Sequence, residues 1–467
     1  MRKLTALFLT VTLLALAASC AGGQPPAASP SGAPDPAGET PAPLSTQAFL
    51  DGEPDAAAVA GYLRDNAGKL PPEEGDLLLE RLILLHQDIA EDLNRRIWET
   101  PYQAALYETL GGTLDAAKIS EIEHPAVKSD FQRAADGMMT IVRYEETPVF
   151  ETDWRAVASL KDAFTDGAAA LAEYQSRLQS GYYRGEPYNF DLAAADIADT
   201  EKLLTGMDRG FVRWQLKQLY YRQAAWFLFG PEGTFIDAFA AGDEDMRRVI
   251  EKNAGQYAGT AFGTICLKLL ENRGGDMQDL TNFVVDSLLF PPGDPRTVTE
   301  ETFSQGGASV TVPVLSGIPG GAVLEKINAA VRGMAVSLVR PDGSDQTVQG
   351  SVSYPGERYM GFVFRCNWTD SAGSQRYTEA FLTVDLETGD AVTLDDLMGR
   401  PFNEYKEALA AMMRGYNPPE DIDKSVMFNL QAEELALMVP SGDTDWPDYY
   451  TVTYNGLRRL TDITKLY

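Results

Sequence analysis

Leu78, Leu82, Leu85, Ile89, Leu93 and Ile97 recur at intervals of three and four, which predicts an amphipathic helix over residues 76–98. A second stripe, Trp154, Val157, Phe164, Leu171, Tyr174 and Leu178, predicts a helix over 153–180 with Gly181 as its stop. Helical spacing also covers 125–143, 192–205, 208–229, 243–254, 256–272 and 276–290. Pro148, Pro187, Pro231 and the pair Gly274-Gly275 fall between these patterns, and Asp191 and Asp243 stand where an N-cap belongs. No fixed-period repeat is visible, so nothing supports a regular solenoid.

The period changes after Pro291-Pro292-Gly293-Asp294-Pro295, where consecutive prolines withhold amide donors and push the chain out of the helical region. Met360, Phe362, Phe364, Cys366 and Trp368 alternate with Gly361, Arg365 and Asn367, and Thr378, Ala380, Leu382, Val384 and Leu386 repeat the alternation after a short turn. These two runs predict an antiparallel pair with a fixed register. Further strands are expected at 308–315, 349–354, 426–430, 435–439 and 450–454, with helices at 320–334 and 401–414, the latter carrying Pro401 in its first turn. The fold class expected is therefore multidomain: an N-terminal all-α helical domain over 49–295, followed by a C-terminal α+β domain with an antiparallel sheet over 296–467.

The beginning of the chain has a different character. Arg2 and Lys3 precede an apolar run from Leu4 to Ala18, too short to cross a bilayer as a helix, and small residues then lead into a cysteine. This is the pattern of an export signal over 1–19. Residues 21–48 hold seven Pro, seven Ala, four Gly and three Ser, with Leu44 the only large apolar side chain, so 20–48 reads as a solvated tether. As coil it would span ~30 Å, and as extended polyproline II ~87 Å.

The stretch Leu16-Ala17-Ala18-Ser19-Cys20 resembles the lipobox of bacterial lipoproteins, with Ala17 where leucine is usual. The resemblance implies cleavage before Cys20 and lipid attachment to it. The address would then be the outer face of the cytoplasmic membrane, or the outer membrane where the host has one. The chain carries 39 Lys and Arg against 68 Asp and Glu, a net charge of −29. That sign repels phosphate backbones and anionic headgroups, so nucleic acid is excluded as a partner and membrane attachment has to come from the lipid.

In the C-terminal part, Val312-Pro313-Val314-Leu315-Ser316-Gly317 is followed by Leu324-Glu325-Lys326-Ile327-Asn328, the alternating hairpin, and then the run Thr383-Val384-Asp385-Leu386-Glu387-Thr388-Gly389-Asp390-Ala391-Val392-Thr393-Leu394-Asp395-Asp396-Leu397. Over about 303–467 this resembles the extracytoplasmic domain of unknown function found in the lysozyme-sensing anti-sigma factor and beside the catalytic domain of certain peptidoglycan deacetylases. The resemblance implies a non-catalytic envelope module, in one family binding lysozyme and in the other accompanying glycan chemistry. Two features of those families are missing. The only histidines, His86 and His124, lie 38 residues apart in the helical half, so the deacetylase Asp-His-His metal site is not there. Nor does the sequence carry the cytoplasmic segment and membrane-spanning helix of the anti-sigma factor. The helical half resembles no named family.

Candidate chemistry is sparse. His86 sits on the shoulder of its apolar stripe and reads as a boundary histidine, and His124 before Pro125 reads as a helix entry. The acidic clusters at 51–55, 73–76 and 243–245 lack calcium-loop spacing and suit helix starts. Cys266 and Cys366 both fall on apolar faces and read as buried free thiols. No nucleophile elbow is present, so no catalytic residue, metal or cofactor is assigned. The most distinctive feature is an aromatic helix around Trp214, Tyr220, Tyr221 and Trp226, which reads first as core; these four are the candidate ligand-binding residues if the helical half holds a pocket. The expectation is a lipid-anchored extracytoplasmic binding or sensing protein that recognises peptidoglycan fragments or a wall-active protein. The alternatives are a glycan- or peptide-acting hydrolase using carboxylates of the helical half, and a structural envelope scaffold.

Overall fold

The computed structural model describes residues 45–110, 114–144, 147–180, 189–230, 233–272, 277–341, 343–415, 418–419, 422–432, 434–439 and 448–467. The export signal, Cys20 and the tether up to residue 44 lie outside them, as do Gly181, Pro187, Pro231 and Gly274-Gly275. The chain divides into two compact units, whose described parts begin at residues 45 and 166. Among the described residues no helix is long and apolar enough to cross a membrane.

The first unit holds α1 (Thr46–Asp51), α2 (Ala56–Asn66), α3 (Pro72–Arg96), α4 (Thr100–Ala104) running into a π-helical turn (Ala105–Leu110), α5 (Ala116–Ser120) and α6 (Pro125–Asp136). Ser45 caps α1 through its hydroxyl, so helix begins within the last residues of the expected tether. The long helix starts four residues earlier than the stripe suggests, because Pro72 fits the first turn and Glu73 and Glu74 complement its dipole; Arg95 and Arg96 close it.

The helix expected over 125–143 instead stops at Gly137, and Met138 takes a positive φ of 61°. The chain then forms a hairpin of β1 (Met139–Tyr144) and β2 (Thr147–Thr152), a departure from the all-α reading of this half. Met139, Ile141 and Phe150 send their side chains into one core with Leu93, Phe131 and Tyr102. The alternation Met-Thr-Ile-Val-Arg-Tyr is the strand signal that the preceding helical pattern obscures. The single helix expected over 153–180 is likewise broken, into α7 (Trp154–Ala158), a 3₁₀ turn (Lys161–Ala163) and a helix from Asp166. Between them Phe164 is extended, and Asp76 accepts hydrogen bonds from the Thr165 N–H at 3.1 Å and hydroxyl at 2.7 Å.

The second unit opens with α8 (Asp166–Gln179), α9 (Phe190–Gly206), α10 (Phe211–Phe229), α11 (Thr234–Ala240), α12 (Glu244–Gln256), α13 (Ala261–Glu271) and α14 (Met277–Leu288). Asp243 caps α12 as its position predicts, whereas α9 is capped by Asn189, with Asp191 inside its first turn. The change of period at the proline cluster marks the passage from these helices to the sheets, while the division between compact units falls earlier, before Asp166.

A five-stranded sheet follows in the order β3 (Thr297–Gln305), β4 (Ala308–Ser316), β5 (Ser344–Pro355), β6 (Tyr359–Thr369), β7 (Gln375–Asp385). It is antiparallel except between β4 and β5, which are parallel because α15 (Gly321–Ser337) crosses between them. Ile327, Val331 and Ala335 of α15 pack on Val310, Val312, Val348, Met360, Phe362, Phe364 and Cys366, so the alternating residues form the core face as predicted. The edge strand β3 was not legible, since only Val298 and Phe303 in it are large and apolar. Short α16 (Leu394–Met398) and α17 (Lys406–Met412) precede a second antiparallel sheet of β8 (Met427–Leu430), β9 (Glu434–Val439) and β10 (Asp448–Thr453), closed by α18 (Tyr454–Leu457). Pro401 opens a 3₁₀ turn rather than the first turn of a long helix. The second part is thus α+β, with a mostly antiparallel five-stranded sheet and an antiparallel three-stranded one, following a helical N-terminal part.

Candidate functional site

Helix α10 is apolar round most of its circumference, and its aromatic residues divide accordingly. Trp214 and Tyr220 are buried, while Tyr221 and Trp226 are half-buried. Lying six, seven and twelve positions beyond Trp214, the others fall at about 240°, 340° and 120° round the helix, so the four do not gather in one pocket. Trp214 packs on Tyr354 with ring centroids 5.4 Å apart, and the Tyr220 hydroxyl faces Glu201 at 3.5 Å. Glu201 in turn accepts from the Ala261 and Phe262 amides at 2.5 and 3.1 Å, so one carboxylate of α9 caps the start of α13.

A constellation that sequence reasoning missed begins just before this helix and runs into it. Arg209, Arg213 and Lys217 recur every four residues and meet the β5–β6 turn, Pro355-Gly356-Glu357. Glu357 accepts from Arg213 at 2.7 Å and Arg209 at 3.1 Å, and the Lys217 ammonium donates to the Pro355 carbonyl. Arg296 donates to the Gly356 carbonyl at 2.6 Å and grips Asp294 with its fork. Lys217 is 6% exposed; burial, reinforced by the Arg296 charge and opposed by Glu357 and Asp294, brings its pKa down to about 7. A perturbed lysine often marks chemistry, but this one is enclosed and engaged, and it locks α10 to the sheet. The four-residue spacing of the three cations was the available signal.

Hollows among the described residues of the second unit include two of unequal size. The larger, about 540 Å³, is lined by Asn189, Phe190, Asp191, Asp245, Arg248, Val249 and Lys252, with Asp191 paired to Lys252 at 2.5 Å and Asp245 to Arg248. The smaller, about 240 Å³, lies at the far end of β6 and β7 and is lined by Arg340, Trp368, Asp370, Arg376, Tyr377 and Thr378. Buried Gln346 builds one wall: its side-chain oxygen accepts from the Arg340 amide at 2.8 Å and its amide donates to the Arg340 and Gly343 carbonyls. The Arg340 guanidinium then lies 4.9 Å above the Trp368 ring. Asp370 builds the other wall, accepting from the Ala372 and Ser374 amides through one oxygen and from Arg376 at 2.8 Å through the other. The Ser374 amide, followed by Arg376, holds its carboxyl below the usual range.

On the opposite face of the sheet, Glu379 is buried and accepts from Arg365 and from the Tyr449 hydroxyl, each at 2.6 Å. Burial and this carboxylate push the Tyr449 hydroxyl up. Tyr449 is 45% exposed, and Gln349, Arg365 and Asn367 are exposed on the same face as Glu379, so this face presents polar groups to solvent.

The run that carries the sequence resemblance is structural. Asp385 accepts from the Glu387 and Thr388 amides, Gly389 has φ of +73°, and a side chain there would meet the Val323 carbonyl of α15 at 2.9 Å. Thr393 and Asp396 then form a capping box on α16, with Leu394 and Leu397 buried. Turn and cap chemistry accounts for each recognisable position.

The histidines have structural partners. His124 caps α6, as the sequence suggests. His86 is not at a boundary: it is 2% exposed, donating from Nε2 to the Gly137 carbonyl at 2.5 Å with Nδ1 against the Thr152 hydroxyl at 2.8 Å. The helical wheel places it beside the stripe, but the β1–β2 hairpin covers that shoulder. Cys266 and Cys366 are buried and free. Among the described residues no three His, Cys, Asp or Glu gather in a way that could hold a metal ion.

No family model matches the chain, and no curated protein does. Solved structures similar to it include a DUF3298-family member from Bacteroides fragilis, 11% identical over 36% of this chain and 92% of that one, with a TM-score of 0.25. A DUF3298-family protein from Pseudomonas aeruginosa is 12% identical over 37% and 94%, with a TM-score of 0.24. Likeness at these scores carries no argument about function.

Proposed function

We propose that this chain is a lipid-anchored extracytoplasmic binding or sensing protein of the bacterial cell envelope, held by Cys20 and recognising peptidoglycan fragments or a wall-active protein without turning them over. The observation that carries the reading is the succession of export signal, small residues, Cys20 and a proline-rich tether. The described fold is consistent with it in two respects: the first described helix begins at Thr46, within the last residues of the expected tether, and both histidines have structural partners. The end of the C-terminal sheet where Arg340 and Arg376 flank Trp368 is the surface on which we place recognition. A hydrolase using the helical half finds two acids on one hollow, Asp191 and Asp245, but each is engaged by a base. The anchor is tested by the mature mass and by labelled palmitate: incorporation that Cys20→Ala abolishes supports the reading, and a mass unchanged by that substitution overturns it.

A further inference from the structure

We infer that the hollow formed by Arg340, Trp368, Asp370, Arg376, Tyr377 and Thr378 is a binding site for a carboxylate-bearing fragment of the wall, an inference that rests on the envelope-binding reading above. The charge decides the ligand class. Two guanidinium groups face one carboxylate in the lining, leaving a single positive charge in a chain whose net charge is −29. That balance suits a monoanion, and the field of the whole chain works against a doubly charged phosphate. The walls are held before any ligand arrives. Gln346, 4% exposed, pins the backbone of Arg340, and Trp368 supports the guanidinium from one side. The stacked fork keeps its N–H edge for a planar acceptor such as a carboxylate.

Asp370 does the same for Arg376 while also closing the β6–β7 turn, where Gly373 has φ of +81°. Its two oxygens are engaged by that turn and that arginine, so it orients Arg376, and its charge is the one already set against the two guanidinium groups. Thr378, on the same strand face as Arg376, adds a hydroxyl at the rim. A volume of about 240 Å³ lies below the ~300–1,000 Å³ of drug-sized pockets, which fits one sugar ring or one terminal amino acid rather than a glycan chain. In wall material, carboxylates of that size come from an acidic amino sugar and from the end of a stem peptide.

The test is calorimetry of the full chain with N-acetylmuramic acid, N-acetylglucosamine and N-acetyl-D-alanyl-D-alanine, whose blocked amine leaves the carboxylate as its only charge. The site predicts saturable binding of at least one of the two acids, at least tenfold tighter than the neutral sugar, and the preferred acid identifies the source of the carboxylate. Arg340→Gln, at an exposed position that leaves the core untouched, should weaken that binding at least tenfold, and Arg376→Gln likewise. Equal affinity for the neutral sugar, no saturable heat with either acid, or unchanged binding by Arg340→Gln would overturn the inference. Sedimentation with whole sacculi separates the two levels. Sacculus binding without binding of either acid removes this site alone, whereas loss of both removes peptidoglycan as the ligand.

Discussion

His86 makes the first unit acid-sensitive in a calculable way. The ring is enclosed between α3, the end of α6 and the end of β2, and its Nε2–H donates to a carbonyl, which fixes the neutral tautomer with Nδ1 accepting from Thr152. Burial lowers its pKa to about 4, against the smaller opposing effect of the Gly137 carbonyl. An unfolded chain would titrate near 6.5. The folded state therefore binds the proton more weakly, so the contribution of neutral His86 is complete above pH 6.5 and is lost as pH falls toward 4. At about 1.4 kcal/mol per unit the full loss is about 3 kcal/mol, of which about 2 kcal/mol is gone by pH 5. Hydrogen exchange of the 125–152 amides, corrected for intrinsic rates at pH 7 and pH 5, reads this opening free energy in the unit concerned. His86→Gln keeps a donor for Gly137 but does not titrate, so its loss between the two pH values should be about 2 kcal/mol smaller than that of the wild type. Equal losses in the two proteins would refute the reasoning.

Lys217 predicts a slope at the other end of the scale: its lowered pKa means stability rises from pH 7 toward 10, and Lys217→Met should flatten that rise in thermal unfolding. Gly389→Ala should lower stability by about 1–3 kcal/mol in urea, through the positive φ and the approach to the Val323 carbonyl, whereas alanine at exposed, unstrained Gly333 should not. Cys266 and Cys366 should resist a thiol reagent in the native protein and react on unfolding, since both are buried and burial pushes the Cys266 thiol up to about 12.

What the sequence made legible was whatever is periodic. The stripe from Leu78 to Ile97 and the alternation from Met360 to Trp368 each announce an element and its buried face, because repeat and burial are the same fact. The β1–β2 hairpin stayed hidden because Met139 and Ile141 also satisfy the end of a helical pattern, and only the positive φ at Met138 separates the two. Likewise β3 has too few apolar residues to show an alternation. The site was harder still. Arg340 and Trp368 are 28 positions apart and Arg376 follows a turn, so only the sheet brings them together. The aromatic cluster of α10 reads first as core from its apolar circumference, and Trp214 and Tyr220 are buried accordingly.

The central claim is recognition without turnover in the envelope, and the most direct measurement is equilibrium binding of the full chain to purified sacculi, muropeptides and lysozyme, with product analysis of the same mixtures. The account predicts saturable binding to at least one of them and unchanged material after incubation. Released fragments, or no saturable binding to any of the three, would contradict it.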